Sequence, residues 1–349
     1  MGVNDFKVIV KKENILHNYH YLKKLKNKNI IAVVKANAYG HGIENIVKLL
    51  TEEGCDYFAV SREYEAKKIL NFQLKNIKIL ILETIENLDL LKQNSNLEMM
   101  VNSLSDLKNI LSNGISTKQL HLKIDFGFGR NGILEKEINK LEKIIKEKNL
   151  KFKGISTHLF AADYKDMLEI EKKFEDIVNI LGKERFEIIH TQNSAGIISV
   201  EGKNSTHIRC GTILFGLQEI GYHDPKIKRA FKLCGKILGI KDIKDLKYIG
   251  YEKKEAINLG KNNKIAKIRI GYGDGFSKRS ENIMSIINNK KFKIVHISMD
   301  SSFVAVDESV KVGDEIEIFH DLQEAINHLE VPHYEFLSVI NDRIERELI

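Results

Sequence analysis

Eight short apolar runs, most of them followed by an amphipathic stretch, occupy roughly the first two thirds of this 349-residue chain. They read as strands near residues 30–35, 56–60, 77–82, 97–101, 120–125, 152–158, 186–190 and 206–215. Helical spacing fills intervals such as 42–53, 63–72, 103–112, 135–148 and 165–181. Strands separated by helices pair in parallel, and eight such units are the count of a (β/α)8 barrel of the TIM type. An open doubly wound sheet competes, but no Gly-x-Gly-x-x-Gly follows the first strand. After about Phe231 the pattern changes. Strands near 236–240, 264–270, 291–297, 303–306 and 315–319 follow one another, with one helix near 322–329. The expected class is therefore α/β, an N-terminal (β/α)8 barrel over 12–230 followed by a C-terminal mainly-β domain over 231–349. A first strand within 1–11, at 5–10, is expected to pack with the β domain.

Active groups on such a barrel gather at the C-terminal ends of its strands. The first of these ends reads Ile31-Ala32-Val33-Val34-Lys35-Ala36-Asn37-Ala38-Tyr39-Gly40-His41-Gly42. The apolar run is short, β-branched and without alternation, as expected of a strand buried on both faces. Lys35 then stands at the mouth of a βα loop. A lysine backed by apolar residues can lose its proton and form a Schiff base with a carbonyl cofactor. The same residues also admit a lysine whose amine simply reaches water.

Other strand ends carry similar signals. The alternating segment Gln119–Asp125 contains Lys123 and runs into Phe126-Gly127-Phe128-Gly129-Arg130-Asn131-Gly132, a glycine-rich loop presenting Arg130. Arginine suits a carboxylate or a phenolate oxygen; a solvated arginine on a turn is the plainer reading. His158 and His190 end successive strands. A lone strand-end histidine is usually a core residue, whereas two on one rim suggest a site. Asn193-Ser194 opens a helix-like segment, whose free N–H groups suit phosphate. Arg209-Cys210-Gly211-Thr212 follows.

These segments resemble the alanine racemase family, and the resemblance runs from Asp5 to about Arg346. It implies that Lys35 carries pyridoxal 5'-phosphate (PLP) and is catalytic. The other cofactor-binding residues would be Tyr39, His158, Asn193, Ser194, Arg209 (facing the pyridine nitrogen), Gly211, Thr212 and Tyr334. His190 would support them from behind, and Lys123, carbamylated in many members, would orient Arg130. Tyr251 in Tyr248-Ile249-Gly250-Tyr251-Glu252 matches the second catalytic base, with Tyr248 as its neighbour and rival. Tyr272 and Met299, with Arg130, would meet the substrate. Four segments depart from the family: Phe126 and Phe128 for threonine and methionine, Cys210 for proline, Ser298 for cysteine, and Glu252-Lys253-Lys254-Glu255 for small uncharged residues.

The implied reaction is two-base racemisation of L-alanine to D-alanine for peptidoglycan precursors, in a head-to-tail homodimer with shared sites. Serine or another amino acid is the alternative substrate. A non-catalytic PLP carrier lacks a second domain, and a PLP decarboxylase needs a glycine-rich phosphate loop and a catalytic cysteine in its β domain. Net charge is +7, but no basic run is interleaved with aromatics and no zinc-ligand spacing occurs, so a nucleic-acid partner is not expected. Three scattered cysteines, no apolar run near 20 residues and no signal-like N-terminus point to a cytoplasmic protein without a membrane partner.

Overall fold

The computed structural model describes residues 6–160, 163–218, 221–250, 254–255 and 262–349. The chain divides into two compact units. One comprises residues 13–38 and 43–229, the other 1–12, 39–42 and 230–349. The first strand, β1 (Lys7–Val10), belongs to the second unit.

The first unit is a nearly closed parallel barrel. Its strands are β2 (Asn29–Val33), β3 (Tyr57–Val60), β4 (Lys78–Ile81), β5 (Leu97–Val101), β6 (Leu120–Asp125), β8 (Phe152–Ser156), β9 (Phe186–His190) and β10 (His207–Cys210). A two-residue strand, β7 (Ile133–Leu134), pairs beside β6. The strand order is β10-β2-β3-β4-β5-β6-β8-β9, every neighbouring pair parallel. At the remaining seam the Thr206 N–H donates to the Ile189 carbonyl at 2.8 Å. Helices cover the outside. In Ile43–Glu52 the buried residues Ile43, Ile46, Val47 and Leu50 fall at helical spacing on one stripe. Each such side chain taken from water contributes about 1.5–3 kcal/mol.

The second unit is built on a nine-stranded sheet of β1, β11 (Phe231–Lys236), β12 (Gly239–Asp242), β15 (Lys264–Ile268), β16 (Met284–Ile287), β17 (Lys290–Ile297), β18 (Ser302–Val306), β19 (Glu315–Ile318) and β20 (Glu345–Leu348). Their order is β12-β15-β18-β17-β16-β19-β11-β1-β20. A separate ribbon pairs β13 (Tyr248–Ile249) with β14 (Lys254–Glu255). β1 lies antiparallel to β11 and parallel to β20.

Three local expectations need correction. Residues 206–215 are not one strand: β10 stops at Cys210, and Thr212–Phe215 is a 3-10 turn. Gly211, at φ −108° and ψ −107°, leaves the extended region and breaks the ladder. Residues 236–240 belong to two strands, because the Ile237 N–H turns to Asp314 and the Leu238 N–H to Lys267. The strand bearing Lys35 ends at Val33, with one more ladder bond from the Val34 N–H to the Ala59 carbonyl. Lys35 begins a left-handed turn in which Ala36, Asn37, Ala38 and Tyr39 have φ of 50°, 55°, 54° and 51°.

Candidate active site

Left-handed backbone costs an L-residue roughly 1–2 kcal/mol, so this turn must be held from outside. Glu65, buried on the helix Glu63–Leu70 that follows β3, does so. Its Oε1 accepts the Ala36 N–H at 2.6 Å, and its Oε2 accepts those of Ser61 and Arg62 at 2.8 and 3.0 Å. Asn37 Oδ1 closes the far side by accepting the Ile43 N–H at 2.9 Å. Lys35 is thereby fixed at the rim of the barrel. Burial lowers the pKa of its amine, Arg130 lowers it further, and Glu83 and Glu65 partly offset both.

Across the rim, β6 alternates with its polar residues inward. Lys123 is buried, and its amine falls to about 8 because of burial and the charges of Arg130 and Arg209. The next loop is shaped by Asp125, whose carboxylate accepts the N–H groups of Gly127, Phe128 and Gly129 at 3.1, 2.8 and 2.9 Å. Arg130 emerges from it with its guanidinium 4.6 Å from the Phe128 ring centroid. His158 senses the whole cluster. Burial, then Arg209, Arg130, Lys123 and Lys35, push its pKa to about 3, so its ring is neutral at physiological pH.

Arg209 is buried in β10, where desolvation lowers its pKa to about 10 without removing its proton near neutrality. It donates to the carbonyls of His190 (2.6 Å), Thr157 (2.8 Å) and Thr191 (3.1 Å), and to His190 Nδ1 at 3.1 Å. Beside it Asn193 caps the short helix Ser194–Ser199, accepting the Gly196 N–H at 2.9 Å and donating to the Leu159 carbonyl at 2.9 Å. The Thr212 hydroxyl donates to Ser194 Oγ at 3.0 Å, and the Ile213 N–H reaches the same oxygen at 3.4 Å. Gly211 precedes this pair at the break in the chain.

The barrel unit thus carries Lys35, Lys123, Arg130, His158, His190, Asn193, Ser194, Arg209, Gly211 and Thr212 on its strand-end loops and inner wall. Tyr39, Tyr272, Met299 and Tyr334 belong to the other unit. There Tyr272 and Met299 are exposed, and the Gly273 N–H donates to the Met299 carbonyl at 2.8 Å. Tyr251 lies outside the described residues. Sequence reading passed over Glu65, Glu98, His121 and Tyr57. For Glu98 and His121 the signal was a polar residue inside a buried strand, as in Leu97-Glu98-Met99-Met100-Val101; Tyr57, first in its strand, and Glu65, on the helix Glu63–Leu70, carry no such signal.

These groups suit an anionic aldehyde cofactor. A desolvated lysine can bind the carbonyl, hydroxyls and backbone N–H groups can meet phosphate, and an excess of cations faces the cluster. Known proteins agree. The N-terminal domain model of alanine racemase matches residues 10–219, and the C-terminal domain model matches 230–348. The alanine racemase of Fusobacterium nucleatum is 32% identical, over 97% of this chain and 98% of its own. The solved alanine racemase of Clostridium difficile 630 superposes with a TM-score of 0.86 at 26% identity, covering 99% of this chain and 96% of that one. That of Bartonella henselae, crystallised with covalently bound pyridoxal phosphate, has a TM-score of 0.85 at 24% identity, covering 99% of each. With both domains matched and a relative similar from end to end, this chain belongs to the alanine racemase family.

Proposed function

We propose that this protein is a PLP-dependent amino-acid racemase that interconverts L- and D-alanine. The observation that carries the reading is the gathering of Lys35, Lys123, Arg130 and Arg209 around buried His158, whose ring is kept neutral by burial and these four cations. Lys35 would hold PLP through its amine. Tyr39, Asn193, Ser194, Gly211, Thr212 and Tyr334 would hold the phosphate, with His158 and Arg209 beside the ring. When bound, the cofactor supplies an electron sink that acidifies the α-hydrogen of an attached amino acid.

Racemisation needs a proton acceptor and donor on each face of the α-carbon. Burial and Arg130 lower the pKa of Lys35, which eases loss of its proton, so its amine would serve one face. Tyr251 of the partner subunit would serve the other, which requires a head-to-tail homodimer with two shared sites. A free phenol titrates near 10, so nearby cations must favour its ionised form; neutral His158 can only hydrogen-bond to it. Arg209 keeps its proton on the guanidinium and so can donate a hydrogen bond to the pyridine nitrogen without protonating it. That limits electron withdrawal by the ring and discourages side reactions. Arg130, oriented by Lys123, would bind the substrate carboxylate with Met299, and Tyr272 would line the entrance. The product fits a cytoplasmic role in D-alanine biosynthesis for peptidoglycan.

Chiral chromatography of purified protein with PLP and a panel of L-amino acids tests this reading. D-alanine should form fastest. Faster conversion of L-serine would reassign the substrate, and no conversion of any would refute the activity. Borohydride should fix the cofactor on Lys35 in a peptide map, and Lys35→Ala should abolish both adduct and turnover.

A further inference from the structure

A chain of hydrogen bonds crosses the barrel interior behind Arg209. Its Nη1 donates to His190 Nδ1 at 3.1 Å. His190 Nε2 lies 3.0 Å from His121 Nδ1, and His121 Nε2 lies 2.7 Å from Glu98 Oε2. Tyr57 reaches the same carboxylate oxygen and lies 3.0 Å from His121 Nε2. Glu98, His121, His190 and Arg209 are all buried. The two imidazoles meet edge to face, with planes at 85°.

The two ends of this chain fix its polarity. A guanidinium only donates, so His190 Nδ1 must accept, and its proton sits on Nε2. That proton points at His121 Nδ1, which must accept in turn. His121 therefore carries its proton on Nε2, directed at a carboxylate, which only accepts. Moving either ring proton would set two N–H groups against each other at His190–His121 or His190–Arg209. The three carbonyls around Arg209 are backbone and cannot change role, so among the described residues His190 is the partner that depends on a tautomer.

We propose that Glu98 is a positioning residue for Arg209, acting through His121 and His190 by holding both rings in the Nε2–H form. The proposal rests on the reading that Arg209 faces the cofactor's pyridine nitrogen. Gly154 supports the geometry independently: a methyl there would collide with the His121 ring at Nδ1, the atom that accepts from His190. The strand carries no side chain where the network needs room. At its far end the network continues through Lys153, 4.0 Å from Glu98 Oε1 and 2.6 Å from Glu187.

The test uses holoenzyme with 15N-labelled histidine and 15N-labelled pyridoxal phosphate. Long-range 1H–15N spectra should show both His121 and His190 as single Nε2–H tautomers. Glu98→Leu leaves the polarity held from the Arg209 end alone and strips the His121 Nε2–H of its carboxylate, so it should mix the tautomers, first at His121, shift the pyridine nitrogen resonance, and lower kcat by roughly threefold to thirtyfold with little change in KM. Glu98→Gln, whose amide oxygen still accepts, should restore tautomers and resonance. If Glu98→Leu does not fold, Gly154→Ala should give the same two spectral changes by displacing the His121 ring. Unchanged tautomers would overturn the proposal. So would altered tautomers with an unmoved pyridine resonance and wild-type kcat. Failure of the wild-type protein to bind PLP would instead refute the functional reading, and the histidine tautomers would still be read in the protein alone.

Discussion

The guanidinium of Arg130 lies over the ring of Phe128, 4.6 Å from its centroid, and the same ring leans on His158 at 5.6 Å and Phe160 at 5.0 Å. The family's usual methionine at position 128 has no such face. In this protein an aromatic shelf supports the arginine expected to meet substrate. A cation–π contact at an exposed site is worth about 0.5–1 kcal/mol. Phe128→Leu should therefore raise KM for alanine about twofold to fivefold and leave kcat near wild type, whereas Phe128→Tyr should keep both. Steady-state kinetics check this; an unchanged KM in Phe128→Leu removes the shelf from substrate binding.

Lys123 should be carbamylated. Its amine titrates at about 8, so the reactive neutral form predominates above that pH instead of above the ordinary value near 10.4. Carbon dioxide turns it into an anion beside Arg130. In 13C-bicarbonate the carbamate signal should grow as pH rises from about 6.5 to 8.5 and be absent in Lys123→Ala. That variant should lose activity and regain part of it with added small carboxylates. A plain amine at high pH in excess bicarbonate would be decisive against this.

The left-handed turn should depend on Glu65. Glu65→Ala removes the acceptor for Ala36, Ser61 and Arg62. Hydrogen bonds to a charged group contribute about 1.5–3 kcal/mol each, and water can replace those outside the core. The urea midpoint should correspond to a loss of about 2–3 kcal/mol, with a lower yield of borohydride-trapped cofactor on Lys35. Wild-type stability together with wild-type trapping would show that the turn holds itself.

Shared sites predict complementation. Lys35→Ala and Tyr251→Phe homodimers should both be nearly inactive. After subunit exchange about half the dimers are mixed, each with one intact site, so about a quarter of wild-type activity should return. No recovery despite proven exchange would place both bases in one chain. Recovery with Tyr248→Phe in place of Tyr251→Phe would identify the other tyrosine.

The barrel strands were legible because β-branched runs between turn residues allow little else; the strands at 97–101, 120–125 and 186–190 coincide with those observed. The helix Lys12–Lys26 was not. Its core stripe of Ile15, Tyr19 and Leu22 includes Asn18, which hydropathy discards. That asparagine is buried because it donates to the Leu214 and Lys228 carbonyls and accepts the Lys228 N–H. The candidate site divides in the same way. Lys35 and Arg209 announce themselves at strand ends. Glu98 does not, because its partner His121 lies 23 positions further along the chain and His190, which meets His121 in turn, lies 92 positions beyond Glu98, so that the three line up only when the barrel curls. The left-handed turn is equally silent: alanine, asparagine and tyrosine carry no glycine signal, and the conformation is imposed from Glu65.

The pairing of β1 with β11 and β20 bears on the order in which the molecule is made. β1 leaves the ribosome before the barrel, yet both of its neighbours follow the last barrel strand. Throughout synthesis of the barrel it is an exposed strand with two free edges, open to the wrong partner. Its four residues, Lys7-Val8-Ile9-Val10, can meet β11 once the chain has passed Lys236, but they gain their second neighbour only after Glu345. The unit carrying Tyr272, Met299 and Tyr334 is thus closed by a strand made before the barrel, and a nascent chain released early would hold a barrel with its β unit unclosed.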